Sequence, residues 1–250
     1  LDHPQATQSD LVVTIEDPLL GPSRQPGLQV KLLATPGEIT SPAPTPNQHR
    51  DKILTELLAL EQRDAVDRKQ VDHQVNVDFP LAGLKVLDLC IILAGPTCGR
   101  SLAELGADVI KIDDPSRGGV LYHHDINRGK RSILIDLKTP GGLDVFWQLV
   151  DDADVIVQNY RSGVVEQLGI DYESIKARKP NVIYVSLNAF GDQGPWEYQP
   201  GYEEVVQALT GMQTRFGGND RPILWPYGVV NDYGTGFAGA FGVVLALIVK

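Results

Sequence analysis

From Pro80 onward the chain keeps one rhythm, and that rhythm limits its fold more than any other property. Apolar stretches the length of a strand, at residues 85–89, 108–112, 131–137, 154–157 and 182–187, alternate with stretches of helical spacing. Residues 95–106 read as a helix with Leu102 and Leu105 inward. Leu143, Phe146, Trp147 and Val150 fall at i, i+3, i+4 and i+7 behind Pro140, a residue suited to a first helical turn. Tyr202, Val205, Val206, Leu209 and Met212 mark a further amphipathic helix. Strands joined through helices pair in parallel, so the expected fold class is α/β, a doubly wound parallel sheet.

The first part of the chain is different. Residues 1–50 hold 8 of the 17 prolines, and 41–46 read S-P-A-P-T-P, which favours extended backbone. Residues 11–15 and 29–33 are expected as short strands, with Pro22, Pro26 and Gly27 as turn residues between them. Ile53, Leu54, Leu57 and Leu58 predict an amphipathic helix over 47–60. Residues 61–79, polar and charged, read as a linker, and 80–250 form the regular α/β part.

Charge narrows the partners. With 22 basic against 32 acidic residues the net is −10, which disfavours nucleic acid or an anionic membrane as the main partner. The apolar run at 237–249 is shorter than the roughly 20 residues of a membrane span, and its glycines suit close helix packing. Two cysteines, Cys90 and Cys98, are too few to staple the chain, so a cytoplasmic protein is expected. A start at Leu1 without a signal-peptide pattern, and an end inside an apolar run, suggest a piece of a longer protein.

In an open parallel sheet ligands sit beyond the carboxyl ends of the strands. The loop after the first strand carries Ala94-Gly95-Pro96 into a helix, a place where free N–H groups favour an anion; the same residues would serve an ordinary turn. Neither G-x-G-x-x-G nor a P-loop is present, which counts against nicotinamide and nucleoside-triphosphate chemistry. Asn127-Arg128-Gly129-Lys130-Arg131, followed by Lys138, is a local run of cations that would suit a phosphate or form a solvated loop. Asn159, Tyr160 and Arg161 offer an aromatic face and a cation. Asp232 precedes a glycine-bearing helix, as a cap or as a carboxylate held ionised beside free N–H groups that could hold an oxyanion. The histidines show no metal-ligand spacing, and no metal is expected.

These pieces combine into a resemblance. Pro80 to Leu89 (P-L-A-G-L-K-V-L-D-L), Ala94-Gly95-Pro96, L-G-A-D-V-I-K-I (105–112), N-R-G-K-R-S (127–132), D-L-K-T-P (136–140), A-D-V-I-V-Q-N-Y (153–160), F-G-D-Q-G-P (190–195) and P-G-Y (200–202) resemble the class III CoA-transferases, a family that includes formyl-CoA transferase, carnitine CoA-transferases and α-methylacyl-CoA racemases. The resemblance implies a Rossmann-like large domain at 80–250, with the family's small domain absent. Residues 1–60 resemble the family's C-terminal end, which implies the tail of a first copy, a linker and the front of a second in a tandem protein.

The resemblance implies CoA transfer between an acyl-CoA and a small carboxylate through an aspartyl intermediate, with Asp232 as nucleophile. Coenzyme A thioester is then a substrate and no cofactor is bound permanently. CoA contacts carry over to Ile92, Leu93, Ala94, Ile135, Lys138, Asn159, Tyr160 and Arg161. Gln167 stands where many members have Arg or Lys, and Asp114 where some have Arg. Tyr202 stands where racemases carry a histidine; a phenol with a reference pKa near ~10 is a poor base at neutral pH, so transfer is favoured over racemisation. The alternatives are an acyl-CoA racemase or isomerase, and a non-catalytic acyl-CoA-binding copy. The family also implies an interlocked dimer, or a pseudo-dimer within one tandem chain.

Overall fold

The computed structural model describes residues 12–27, 38–61, 79–117, 122–191, 195–226 and 228–249. Five short strands make one parallel sheet: β3 (Lys85–Asp88), β4 (Asp108–Asp113), β5 (Arg131–Leu134), β6 (Val155–Gln158) and β7 (Ile183–Ser186). Their order is β5-β4-β3-β6-β7, so the chain steps one way from β3, then returns and steps the other way. The α/β expectation holds, and strand ends differ from it by one residue except at β5. That strand stops at Leu134 because Asp136 folds the chain back, its carbonyl and side chain accepting the N–H groups of Thr139 (3.1 Å) and Lys138 (3.0 Å).

Both faces of the sheet are covered, which is why its strands carry apolar residues without a polar side. Alternate residues point to opposite faces. Leu87, Ile110, Ile133 and Ile156 meet Phe146, Leu149 and Val150 of helix α4 (Pro140–Asp152) and Ile53 and Leu57 of helix α1 (Arg50–Glu61). Val86, Val109, Val155 and Val157 meet Cys98 and Leu102 of helix α2 (Ala94–Glu104) and Ala240 and Val243 of helix α9 (Val230–Val249). Thr139 caps α4, its hydroxyl accepting the Gly142 N–H at 3.1 Å, with Pro140 in the first turn as expected.

Helix α9 is longer than the apolar run because Asn231, Asp232 and Tyr233 join its first turn. Its 20 residues are long and apolar enough to cross a membrane by length and composition alone, but Gly236, Gly239, Ala240 and Val243 lie buried against the sheet's other helix.

The remaining helices are short: α3 (His123–Ile126), α5 (Val164–Gln167), α6 (Tyr172–Arg178), α7 (Glu203–Leu209) and α8 (Met212–Gly217). The last two replace the single helix expected over Tyr202–Met212. Gly211, at φ +75°, breaks it. Its apolar stripe is not the buried face either: Val205 and Leu209 are exposed, while Glu203 and Gln207 are buried.

The early chain packs onto this sheet. β1 (Val12–Asp17) and β2 (Gly21–Pro26) form an antiparallel hairpin, so Pro22 and Pro26 belong to a strand and not to a turn. A two-stranded ribbon has only edge strands, where a missing N–H is tolerated. The strand expected at 29–33 lies outside the described residues, as do residues 62–78 of the linker. Asn47 and His49 line the open edge of β5: the Leu134 N–H donates to Asn47 Oδ1 (3.0 Å) and the His49 N–H to the Ser132 carbonyl (3.1 Å). Helix α1 begins three residues later than expected because Asn47 takes a left-handed turn at φ +66°.

Arg128, Lys130 and Arg131 of the cation run form neither a solvated loop nor a phosphate cradle, and only Lys138 stays mostly exposed. Lys130 is fully buried and donates to Asp88 Oδ2 (2.7 Å), the Pro96 carbonyl (2.8 Å) and Asn127 Oδ1 (3.0 Å). Arg128, also fully buried, donates to Glu104 (2.8 Å) and to the Pro26 carbonyl (2.7 Å), which ties the hairpin to α2. Arg131 grips Asp108 through two bonds, at 2.8 and 2.6 Å. Each charge is matched inside the protein, as burial requires.

Candidate active site

The strand order reverses between β3 and β6, and the crevice at their carboxyl ends is where the geometry of such a sheet offers a ligand site. Three side chains shape the loop that leaves β3. Asp88 Oδ1 accepts the Cys90 N–H at 2.9 Å, and the buried Lys111 donates to the Cys90 carbonyl at 2.6 Å. Asn159, just past β6, accepts the Ile91 N–H and donates to the Ile91 carbonyl, both at 2.8 Å. Held this way, Ile92 sits at φ +65°, a conformation a β-branched residue avoids, with its side chain exposed. Leu93 is buried and Ala94 opens α2. The amide of Asn159 thus clamps the loop containing the other expected contacts.

At the carboxyl ends of β4, β5 and β6 lies a cleft of about 350 Å³, which Ile92, Leu93 and Ala94 do not line. Ile135, Lys138 and Tyr160 line it together with Asp114, Arg117 and Gln167. Tyr160 packs partly against the core, and burial raises its phenol above the usual range. The Lys138 ammonium is mostly exposed and lies 3.6 Å from Asp114 Oδ2. Three expected contacts therefore share one cavity. Arg161 does not line it; it turns the other way and donates to the Tyr202 hydroxyl at 3.2 Å.

Asp232 stands in the first turn of α9. That helix runs alongside α2 at very short range: a Cβ on Gly236 would come within 2.5 Å of the Ala94 carbonyl and 2.6 Å of Thr97 Cβ, and one on Gly239 within 3.2 Å of Cys98 Sγ. Asp232 lies four residues before Gly236, on the same helical face, and side chains on a helix lean toward its N-terminus. Its carboxylate is thereby carried toward the Ile92–Ala94 loop.

Two expectations for Asp232 need correcting. It occupies the third position of the helix and is not its cap. Nor are the N–H groups around it free for an oxyanion. The buried Glu203 carboxylate takes the N–H of Asn231 (2.8 Å) and of Asp232 (3.0 Å), the Asn231 side-chain amide (2.8 Å) and that of Gln207 (2.7 Å). Burial first, and then the Glu203 and Glu204 charges, push the Asp232 carboxyl up to about 6, the reverse of the lowering expected from the helix end. At neutral pH it remains mostly ionised but poorly solvated, a condition that favours attack on an electrophile.

Glu203 escaped the sequence reading because a single acid at the start of a helix carries no signal; the adjoining Tyr202 was the only pointer to it. Cys90 and Cys98 are no rival nucleophiles, since burial raises both thiols, Cys98 to about 12. His123 and His124 bond to the Pro44 carbonyl and Asp17, and among the described residues no group of three or more His, Cys, Asp or Glu is placed to hold a metal.

The structure is thus an α/β fold whose parallel sheet has an open switch point, with an aromatic-lined cleft at the carboxyl ends of its strands and a partly desolvated carboxylate at the start of α9. Residues 81–250 match the sequence pattern of CoA-transferase family III, and the chain belongs to that family. It is 36% identical over 188 residues to succinate–glutarate CoA-transferase of Agrobacterium fabrum, covering 68% of this chain and 47% of that protein. To formyl-CoA:oxalate CoA-transferase of Rhodopseudomonas palustris it is 37% identical over 180 residues, covering 67% and 42%. The crystal structure of a CAIB/BAIF family protein from Brucella suis superposes with a TM-score of 0.64 at 37% identity, over 68% of this chain and 50% of that one. The chain spans about half the length of the relatives it matches.

Proposed function

We propose that the protein transfers CoA from an acyl-CoA thioester to a small carboxylate, with Asp232 as the nucleophile. The observation that carries this reading is the placement of Asp232: a half-buried carboxylate raised to about 6, brought to the loop at the switch point by the close packing of α9 on α2. In the first step the carboxylate attacks the thioester carbonyl. An acyl–aspartyl anhydride forms and CoA leaves as the thiolate. The thiolate then attacks the aspartyl carbonyl, releasing the acyl group as a carboxylate and leaving an aspartyl–CoA thioester. The acceptor carboxylate attacks that thioester, forming a second anhydride, and the returning thiolate completes the new acyl-CoA and frees Asp232.

The adenine is assigned to Tyr160 in the cleft and the phosphates to Lys138, with the thioester running past Ile92–Ala94 toward Asp232. Tyr202 argues for transfer over racemisation, because its hydroxyl accepts a bond from Arg161 and is no base for an α-proton. The family's interlocked dimer, or its equivalent within one tandem chain, supplies the remaining walls of the site. The docking of residues 38–61 on β5 supports the reading of this segment as the returning tail of a preceding copy.

Asp232→Asn is nearly isosteric, and turnover of the full-length protein should fall by several orders of magnitude. Wild-type protein incubated with its acyl-CoA should carry a hydroxylamine-sensitive adduct on the peptide containing Asp232. Where a second copy is present it must be disabled first. An adduct on another carboxylate, or full turnover by the Asn variant, rules the assignment out.

A further inference from the structure

The cleft proposed to hold the nucleotide end of CoA is poorly equipped for a highly anionic ligand. Among the described residues two cations line it, Arg117 and Lys138, against three carboxylates, Asp113, Asp114 and Asp136. Asp113 is answered from below by the buried Lys111, at 2.7 Å. Asp136 faces a backbone N–H, that of Lys138 at 3.0 Å. Asp114 is the one that bears on the ligand's partners. Its Oδ2 lies 3.6 Å from the Lys138 ammonium, while Oδ1 is fixed by the N–H (2.8 Å) and hydroxyl (2.6 Å) of Ser116. Those bonds to Ser116 hold its carboxyl below the usual range, so it is charged throughout the neutral region. It also sits near Arg117, whose N–H donates to the Asp114 carbonyl at 3.0 Å.

A phosphate entering this cleft has to share Lys138 with a fixed carboxylate and approach that carboxylate closely. The gain from one ion pair is largely offset by the repulsion from the other. In CoA the 3′-phosphate is carried on the ribose next to the adenine, one sugar away from a ring stacked on Tyr160, which places it in the same cleft as Asp114.

We propose that Asp114 is a specificity-determining residue that cancels the advantage of the 3′-phosphate, so that the protein accepts 3′-dephospho-CoA thioesters about as well as CoA thioesters. The proposal rests on the assignment of this cleft to the nucleotide of CoA. It widens the substrate class from CoA thioesters to adenylated pantetheine thioesters with or without that phosphate.

Calorimetry with CoA and with 3′-dephospho-CoA on the full-length protein tests it. In the wild type the two Kd values should agree within about threefold. Asp114→Asn keeps a side chain able to accept from Ser116, so the turn survives; it should tighten CoA by about fivefold and leave 3′-dephospho-CoA nearly unchanged. Asp151→Asn removes the same charge from the exposed pair with Arg178, at the opposite end of α4, and should move neither value. A preference for CoA above about tenfold in the wild type overturns the proposal, as does an Asp114→Asn variant that shifts both ligands equally. Binding of neither ligand by the wild type overturns the nucleotide assignment itself, and this inference with it.

Discussion

The carboxylate of Glu203 accepts the backbone N–H of Asp232 at 3.0 Å, so the buried acid that anchors the start of α9 also stands against a second, half-buried carboxylate. One group both holds Asp232 in place and raises its proton affinity. The helix dipole, which alone would lower that affinity, is spent on Glu203.

A pH profile reads this arrangement. Asp232 has to be ionised to attack, so kcat/KM should rise through a limb near pH 6. Glu203→Gln removes the neighbouring charge and should move the limb to lower pH. The limb should stay above the ordinary aspartate range, because burial is the larger cause. An unmoved limb would mean that Glu203 does not bear on Asp232.

Stability should move the other way from activity. The Asp232 carboxyl goes from an ordinary 3.8 to about 6 on folding, so the folded state binds more protons between those values. Its contribution is fully present below the lower value and is lost as pH rises through the upper one. Asp232→Asn should therefore match the wild type near pH 4 and exceed it near pH 8. Halved for partial exposure, the gain is about 1.5 kcal/mol. Urea unfolding at the two pH values checks the difference.

Gly236 tests the helix contact. Any Cβ there meets the backbone carbonyl of Ala94, which has no side-chain freedom to yield. Gly236→Ala should cost about 1–3 kcal/mol in denaturant unfolding and lower turnover by pushing Asp232 off its loop. Gly242 meets nothing within 4 Å, so Gly242→Ala is the matched control and should be neutral or slightly stabilising.

The buried pair Asp88–Lys130 gives a further test. Lys130→Met leaves a fully buried carboxylate without its main partner and should cost about 3–5 kcal/mol. Adding Asp88→Asn should recover much of that loss, measured as a coupling in a double-mutant cycle.

The sequence made some of this visible and hid the rest for identifiable reasons. The apolar strands and the 143–150 helix show through because a sheet covered on both sides leaves a strong apolar signature. The family resemblance names Tyr160, Lys138 and Ile135, and the sheet brings their two loops, after β5 and after β6, to one edge. Lys130 and Arg128 were misjudged because their partners, Asp88 and Glu104, are 42 and 24 residues away, and proximity in the chain says nothing about them. Helix α7 was misjudged in its facing: Val205 and Leu209 gave it an apolar stripe, but capping α9 draws Glu203 inward instead. β2 was hidden by prolines that only an edge strand accepts.

The lining of β5 by Asn47 and His49 also has a kinetic side. Asn47 waits for Leu134, 87 residues later, and Asp17 waits for His124, 107 residues later. Residues 12–61 cannot complete these contacts until β5 has been made and paired. Closing loops of that length is slow, and until it happens the strand edge stands open to other chains. Refolding should thus show the sheet's core forming ahead of the N-terminal segment, and a chaperone that covers this early stretch during synthesis would raise the yield of native protein.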